Sequence, residues 1–231
     1  MNGDGLATRF AAVRDRLAAA CRAAGRDPAA VELLAVSKTH PAERVRAAYA
    51  LGHRAFGENR VQELAAKARE LADLADLRWH AIGSLQTNKV KDLLRVPGLA
   101  LLHSLDRTAL ADELQRALAA SGRRLPVLLQ LHATDEPTKH GCTPTAASAL
   151  LAHVQARCPA LAVGGVMAMG PLVGDPRPAF DLVVATLGRL RAASGLPLPV
   201  LSLGMSGDLE AAVAAGSTLV RIGSALFGNR D

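Results

Sequence analysis

From Val31 onward the chain alternates short apolar runs with longer segments of helical spacing. The runs are ELLAVSK, AFGEN, RWHAIG, LALLHSL, PVLLQLH, LAVGGVMAM, PVLSLGM and STLVRIG, eight in all. Their length and the turn residues around them predict strands. Between them, Val45, Ala48 and Leu51, then Val61, Leu64 and Leu71, then Leu110, Leu114 and Leu118 recur at the spacing of one helix face. Continuous apolar strands joined by helical crossovers form a parallel sheet buried on both faces. Eight such units in this length favour a closed (β/α)8 barrel over a doubly wound open sheet. Ahead of the first strand, LATRFAAVRDRLAAACRAAG puts Leu6, Phe10, Val13 and Leu17 on one face and arginines on the other. This predicts an amphipathic surface helix rather than a signal sequence. No linker or low-complexity tract interrupts the series, so a single domain over residues 1–231 is expected.

Composition narrows the picture. Half of the 231 residues are hydrophobic, enough for a sizeable core. Lys and Arg outnumber Asp and Glu by 27 to 21, but the excess is spread thinly and aromatics make up only 3%. A nucleic-acid groove gathers basic residues with aromatics between them, so nucleic acid is not an expected partner. Cys21, Cys142 and Cys158 follow neither a disulfide nor a zinc spacing and read as reduced thiols of a cytoplasmic protein. The longest uncharged stretch, Cys158 to Gly174, is broken by prolines and glycines, which argues against a membrane span. A monomer is expected.

Candidate chemistry gathers where a barrel of this type places it, at the C-terminal ends of the strands. Lys38 ends the first strand. Of five lysines, Lys67, Lys89 and Lys91 fall on predicted helices and Lys139 in a polar loop, which leaves Lys38 as the one aimed at the mouth. Burial there would lower its pKa and supply a neutral amine for an aldehyde, whereas the bland alternative is a lysine that snorkels to water. SLGMSGDLEAAVAAG and VRIGSALFG each run from a strand through a Ser–Gly or Gly–Ser turn into a helix. Ser206 with Gly207 and Gly223 with Ser224 are therefore candidates to hold an anion on backbone N–H groups, or else ordinary helix caps. Arg221 lies within the last apolar strand and requires a buried partner, either a carboxylate such as Glu58 or a ligand heteroatom. His80 reads as a core histidine, Ser84 as a helix cap, and Met167 and Met169 as core that would also suit a flat ring.

A lysine for an aldehyde, a cradle for a phosphate and an arginine for a ring nitrogen outline pyridoxal 5′-phosphate. AVSKTHP, FGENRVQE, WHAIGSLQTNK, TDEPTKHG, LSLGMSGDLEAAVAAGST and VRIGSALFG, in this order over nearly the whole chain, resemble the pyridoxal phosphate homeostasis protein family, stand-alone relatives of the alanine racemase N-terminal barrel. The resemblance implies a Schiff base on Lys38, phosphate on Ser206, Gly223 and Ser224, Asn59 beside the ring and Arg221 at its nitrogen. His40 stands where the family often has a lysine, and Lys139 lies in a loop that the resemblance marks as functional. The implied role is intracellular vitamin B6 homeostasis without efficient turnover, with apo-enzymes as the expected recipients of the cofactor. An arginine at the ring nitrogen does not supply the proton that would make the ring a strong electron sink. Two rival classes share parts of the pattern: an amino-acid racemase or lyase dependent on the same cofactor, and a Schiff-base aldolase acting on a phosphosugar.

Overall fold

The computed structural model of the protein describes residues 3–134, 136 and 140–228. Eight parallel strands close on themselves in chain order: β1 (Glu32–Val36), β2 (Ala55–Glu58), β3 (Arg78–Ala81), β4 (Leu99–Leu105), β5 (Leu125–Gln130), β6 (Leu161–Met167), β7 (Val200–Ser202) and β8 (Leu219–Ile222). The last pairs with the first, Leu34 opposite Arg221. Around them run α1 (Gly3–Ala23), α2 (Ala42–Ala50), α3 (Val61–Glu70), α4 (Val90–Leu94), α5 (Thr108–Leu118), α6 (Pro144–Arg157), α7 (Arg177–Ser194), α8 (Leu209–Ala214) and α9 (Ser224–Phe227). The expected (β/α)8 barrel is the fold observed. Several predicted strands lose their last residues, because Ser37, Lys38 and their counterparts leave the ladder to form the loops of the mouth.

Strand residues point alternately to the two sides of the barrel wall. Ala35, Phe56, Val166, Val220 and Ile222 are buried against the helices, in the larger apolar cluster. Leu34, Ala55 and Leu219 form a separate cluster inside the barrel, joined by Ile82 and Val200. Leu101, Leu128 and Met167 form a second interior cluster. The interior register continues upward, so Lys38 follows Leu34 and Val36, and Arg221 and Gly223 follow Leu219.

The N-terminal helix α1 buries the predicted stripe of Leu6, Phe10, Val13 and Leu17, and Cys21 extends it. It lies against the last two helices. Arg9 Nε donates to Leu226 O at 2.7 Å, and Arg16 Nη1 donates to Ser206 O at 2.7 Å while pairing with Glu210. The helix thus braces from outside the two turns after β7 and β8. Among the described residues, no helix is long and apolar enough to cross a membrane.

Candidate functional site

A cavity of about 560 Å³ opens at the C-terminal end of the barrel. Lys38, Asn59, Ser206, Arg221, Gly223 and Ser224 all line it, although they come from four separate segments of sequence. Val36, Ile82, Met167, Met169 and Met205 supply apolar wall, and His40 and Gly207 complete the rim. The methionines therefore face the cavity as well as packing in the wall.

Lys38 sits in a turn whose neighbours are held more firmly than a loop requires. Lys67, on α3, is buried and donates to Glu58 Oε1 at 2.7 Å, to Glu63 Oε1 at 2.7 Å and to Ser37 O at 2.8 Å. Ser37 Oγ donates to Glu58 Oε1 at 2.6 Å, and Thr39 N donates to Glu63 Oε1 at 2.6 Å. The residues before and after Lys38 are thus tied to one ionic cluster. Thr39 adopts φ 68°, a left-handed conformation that costs a β-branched residue roughly 1–2 kcal/mol. Its amide bond to Glu63 helps to hold it there. Burial pushes the Glu58 carboxyl up, with Lys67 acting against it. Burial also works against ionised Glu63, but the bonds from Lys67 and the Thr39 amide outweigh it and hold that carboxyl below its ordinary value.

This cluster rules out Glu58, one of the two alternatives for the partner of Arg221. On β2 the side chains alternate, so Glu58 points outward to α3 while Arg221 points inward from β8. Arg221 Nη1 donates to Ser202 O at 2.8 Å and to Ser202 Oγ at 2.7 Å, and Nη2 donates to Ala168 O at 2.9 Å. Burial pulls the guanidinium down to about 10, with Asp208 acting the other way, so it keeps its proton at neutral pH.

Below Arg221 the barrel interior carries a polar layer. Because a guanidinium only donates, Ser202 Oγ accepts from it and turns its own hydrogen toward His103 Nδ1, 3.4 Å away. His103 Nε2 then donates to His80 Nδ1 at 3.0 Å. Burial holds His80 at about 4 and, together with the neighbouring His80 ring and the Arg221 charge, pushes His103 well below its ordinary value. Both rings are neutral at pH 7, and the core reading of His80 holds.

The two small-residue turns meet. Ser224 Oγ donates to Ser206 Oγ at 3.3 Å, and Ala225 N lies 3.4 Å from the same oxygen. Neither serine is a conventional cap: Gly223 caps α9, and Asp208 precedes α8 with its carboxylate on Met205 N at 2.6 Å. A Cβ at Gly223 would stand 3.3 Å from Val36 O, so glycine lets this turn close on β1. A Cβ at Gly83 would collide with Asn59 O at 2.0 Å, and its absence seats Asn59 at the rim. Ser84 is exposed and caps nothing, since the next helical turn starts after Gln86. Lys139 lies outside the described residues.

Sequence reading missed Lys67, Glu63, His103 and Ser202. The Glu63–Lys67 spacing of four on a helix was a visible signal for the first two. His103 and Ser202 stood at inward registers of strands that had been identified. The donor set, with one amine, two hydroxyl–glycine turns and one guanidinium that, among the described residues, bonds to neutral oxygens, suits a ligand with a carbonyl, an anionic end and a flat apolar body.

The alanine racemase N-terminal domain model matches residues 9–231. The pyridoxal phosphate homeostasis protein of Pseudomonas aeruginosa is 45% identical over 226 residues, covering 98% of this chain and 96% of that protein. That of Homo sapiens is 39% identical over 240 residues, covering 98% of this chain and 87% of that protein. The solved structure of PipY from Synechococcus elongatus with PLP bound has a TM-score of 0.83 at 37% identity, covering 96% of this chain and 100% of that one. With matches of this extent, the chain belongs to the pyridoxal phosphate homeostasis protein family, built on the alanine racemase N-terminal domain.

Proposed function

We propose that this protein binds pyridoxal 5′-phosphate at the barrel mouth, attaches it covalently through Lys38, and holds it for release rather than turning substrates over. The observation that carries this reading is the convergence of Lys38, the Ser206 and Gly223–Ser224 turns and Arg221 on one cavity. A relative with PLP bound supports the choice of ligand. Lys38 is the amine for the aldehyde, Ser206, Gly223 and Ser224 hold the phosphate, Asn59 lies beside the ring, and Arg221 donates to the ring nitrogen. When bound, the cofactor offers an electron-withdrawing ring to amines joined to its aldehyde.

The chain's own residues favour holding. Arg221 stays protonated and, among the described residues, hydrogen-bonds to neutral oxygens, so it accepts no proton and gives none up near pH 7. Tyr49, the single tyrosine, bonds through its hydroxyl to Asp76 and does not line the cavity. We read the chain as one cytoplasmic, monomeric domain over residues 1–231 that passes its cofactor to apo-enzymes.

Borohydride reduction of the purified yellow protein followed by peptide mass spectrometry tests the site. Pyridoxyl is expected on Lys38, and the Lys38→Ala protein should fold but be colourless. Label chiefly on Lys67 or Lys139 would remove the assignment. Rapid α-proton exchange of L-alanine or L-serine in deuterated water, at the roughly 1 per second of an ordinary enzyme, would overturn the carrier reading.

A further inference from the structure

On the outer ring of helices, away from the mouth, one cluster stands apart from the function described above. Asp112 on α5, His153 on α6 and Cys158, the residue that caps α6, bring their ligand atoms within 4.8 Å of one another. It is the one such group of His, Cys and acidic residues found among the described residues. His153 Nε2 lies 2.6 Å from Asp112 Oδ1, and Cys158 Sγ lies 3.9 Å from that oxygen. These residues are 41 and 46 positions from Asp112 in sequence, so only the packing of α5 against α6 unites them.

We propose that Asp112, His153 and Cys158 bind a divalent metal ion of zinc type, with water completing a tetrahedral site. One thiolate, one imidazole and one carboxylate form a borderline-soft set that favours zinc over magnesium or calcium, which demand oxygen. Bond lengths of about 2.0–2.3 Å in a tetrahedron put the carboxylate oxygen about 3.4 Å from nitrogen and about 3.6 Å from sulfur. The oxygen–nitrogen and oxygen–sulfur distances reach these values by shifts of less than about an ångström, and the nitrogen and sulfur, within 4.8 Å of each other, close to about 3.6 Å. The segment carrying the sulfur is already fixed against α5, because Gln115, one turn beyond Asp112, accepts from Ala160 N at 2.8 Å. Cys158 leaves the helix with φ −126° and ψ 63°, which takes its side chain out of the helical register. Asp112 is exposed and His153 half-exposed, so an ion has a route in and water a place at the open vertex.

Binding balances simply. The Asp112–His153 hydrogen bond opens, the imidazole hydrogen moves through solvent to Nδ1, Nε2 donates its lone pair to the ion, and Cys158 gives its proton to solvent. About one proton is released per ion near neutral pH, and affinity falls as the pH is lowered.

The test is titration of untagged, chelator-washed protein with Co²⁺, read as difference spectra against metal-free protein, followed by displacement with Zn²⁺. We expect a thiolate-to-cobalt charge-transfer band that saturates at one equivalent and is erased by zinc. Cys158→Ser should abolish the band, while Cys21→Ser and Cys142→Ser should keep it. His153→Gln, at a half-exposed position that folding tolerates, should weaken Zn²⁺ by about 100-fold or more, since even outer partners of metal ligands account for 10–100-fold. A band that survives in Cys158→Ser, no band at one equivalent, or unchanged zinc affinity in His153→Gln would each overturn the site. The readout is independent of the pyridoxal phosphate cavity.

Discussion

Lys67 and Arg221 are both cationic and both almost wholly removed from water, yet one is surrounded by carboxylates and the other by neutral oxygens. Lys67 lies behind the mouth, where Glu58 and Glu63 compensate its charge, and its remaining bond goes to the backbone beside Lys38. Its role is positional. Arg221 lines the cavity and is held in place by backbone and hydroxyl dipoles, with Asp208 acting on its charge without hydrogen-bonding to it among the described residues. A buried ion held this way is costly unless something electron-rich faces it. The contrast separates a cation that organises the protein from one presented to a ligand, and each can be tested by removing it.

The largest effect should come from Lys67→Met. Two carboxylates lose their partner in a buried setting, and breaking such a pair from one side costs about 3–5 kcal/mol. Urea denaturation should show that loss, and the double variant Lys67→Met/Glu58→Leu should recover much of it, because removing both partners avoids the stranded charge. A single-variant loss below about 1 kcal/mol would erase the distinction.

Acid titration sharpens the Arg221 side. Above about pH 6.5 the folded and unfolded chains both carry neutral His80. As the pH falls toward the folded value of about 4, the unfolded chain takes a proton that the folded ring refuses, so stability drops with falling pH. For this one histidine the loss is about 3 kcal/mol by pH 4. The depressed Glu63 carboxyl loses its contribution lower, below its ordinary range near 4.5. Urea midpoints at pH 7 and pH 4.5 should differ accordingly, and a flat profile would contradict a neutral interior layer.

Arg221→Gln should be gentler on stability and harsher on binding. The amide still donates and the desolvated charge is gone, so a loss of no more than about 2 kcal/mol is expected in urea. Affinity for pyridoxal 5′-phosphate, measured by absorbance titration, should fall by more than that of Lys67→Met. The reverse order would move the ligand-facing role away from Arg221.

The smallest change is expected for Glu63→Gln. Its partly exposed carboxylate contributes at most about 1 kcal/mol, but amide exchange at Thr39 should quicken as its acceptor weakens. Unchanged exchange there would show that the left-handed turn stands without the cluster.

Much of this molecule was legible in its residue pattern. Continuous apolar runs separated by helical spacing are local signals, and eight of them in succession leave a closed parallel barrel as the economical arrangement. Lys38, Ser206, Arg221, Gly223 and Ser224 were readable because each breaks an apolar or helical pattern at a strand end. The partners were not. Whether Glu58 meets Arg221 or Lys67 depends on which side of the barrel wall its register faces, and one residue of slip reverses that. His103 and Ser202, on β4 and β7, look like ordinary strand residues until closure of the barrel sets them at one height inside it. The bracing of the mouth by Arg9 and Arg16, and the meeting of Asp112, His153 and Cys158, join positions far apart in sequence. Sequence alone determined the elements and the residues that interrupt them, because propensity and periodicity act over a few neighbours. Only the tertiary structure decided which buried charge is answered from within, because Coulomb and hydrogen-bond energies depend on separations of a few ångströms that closure of the barrel creates.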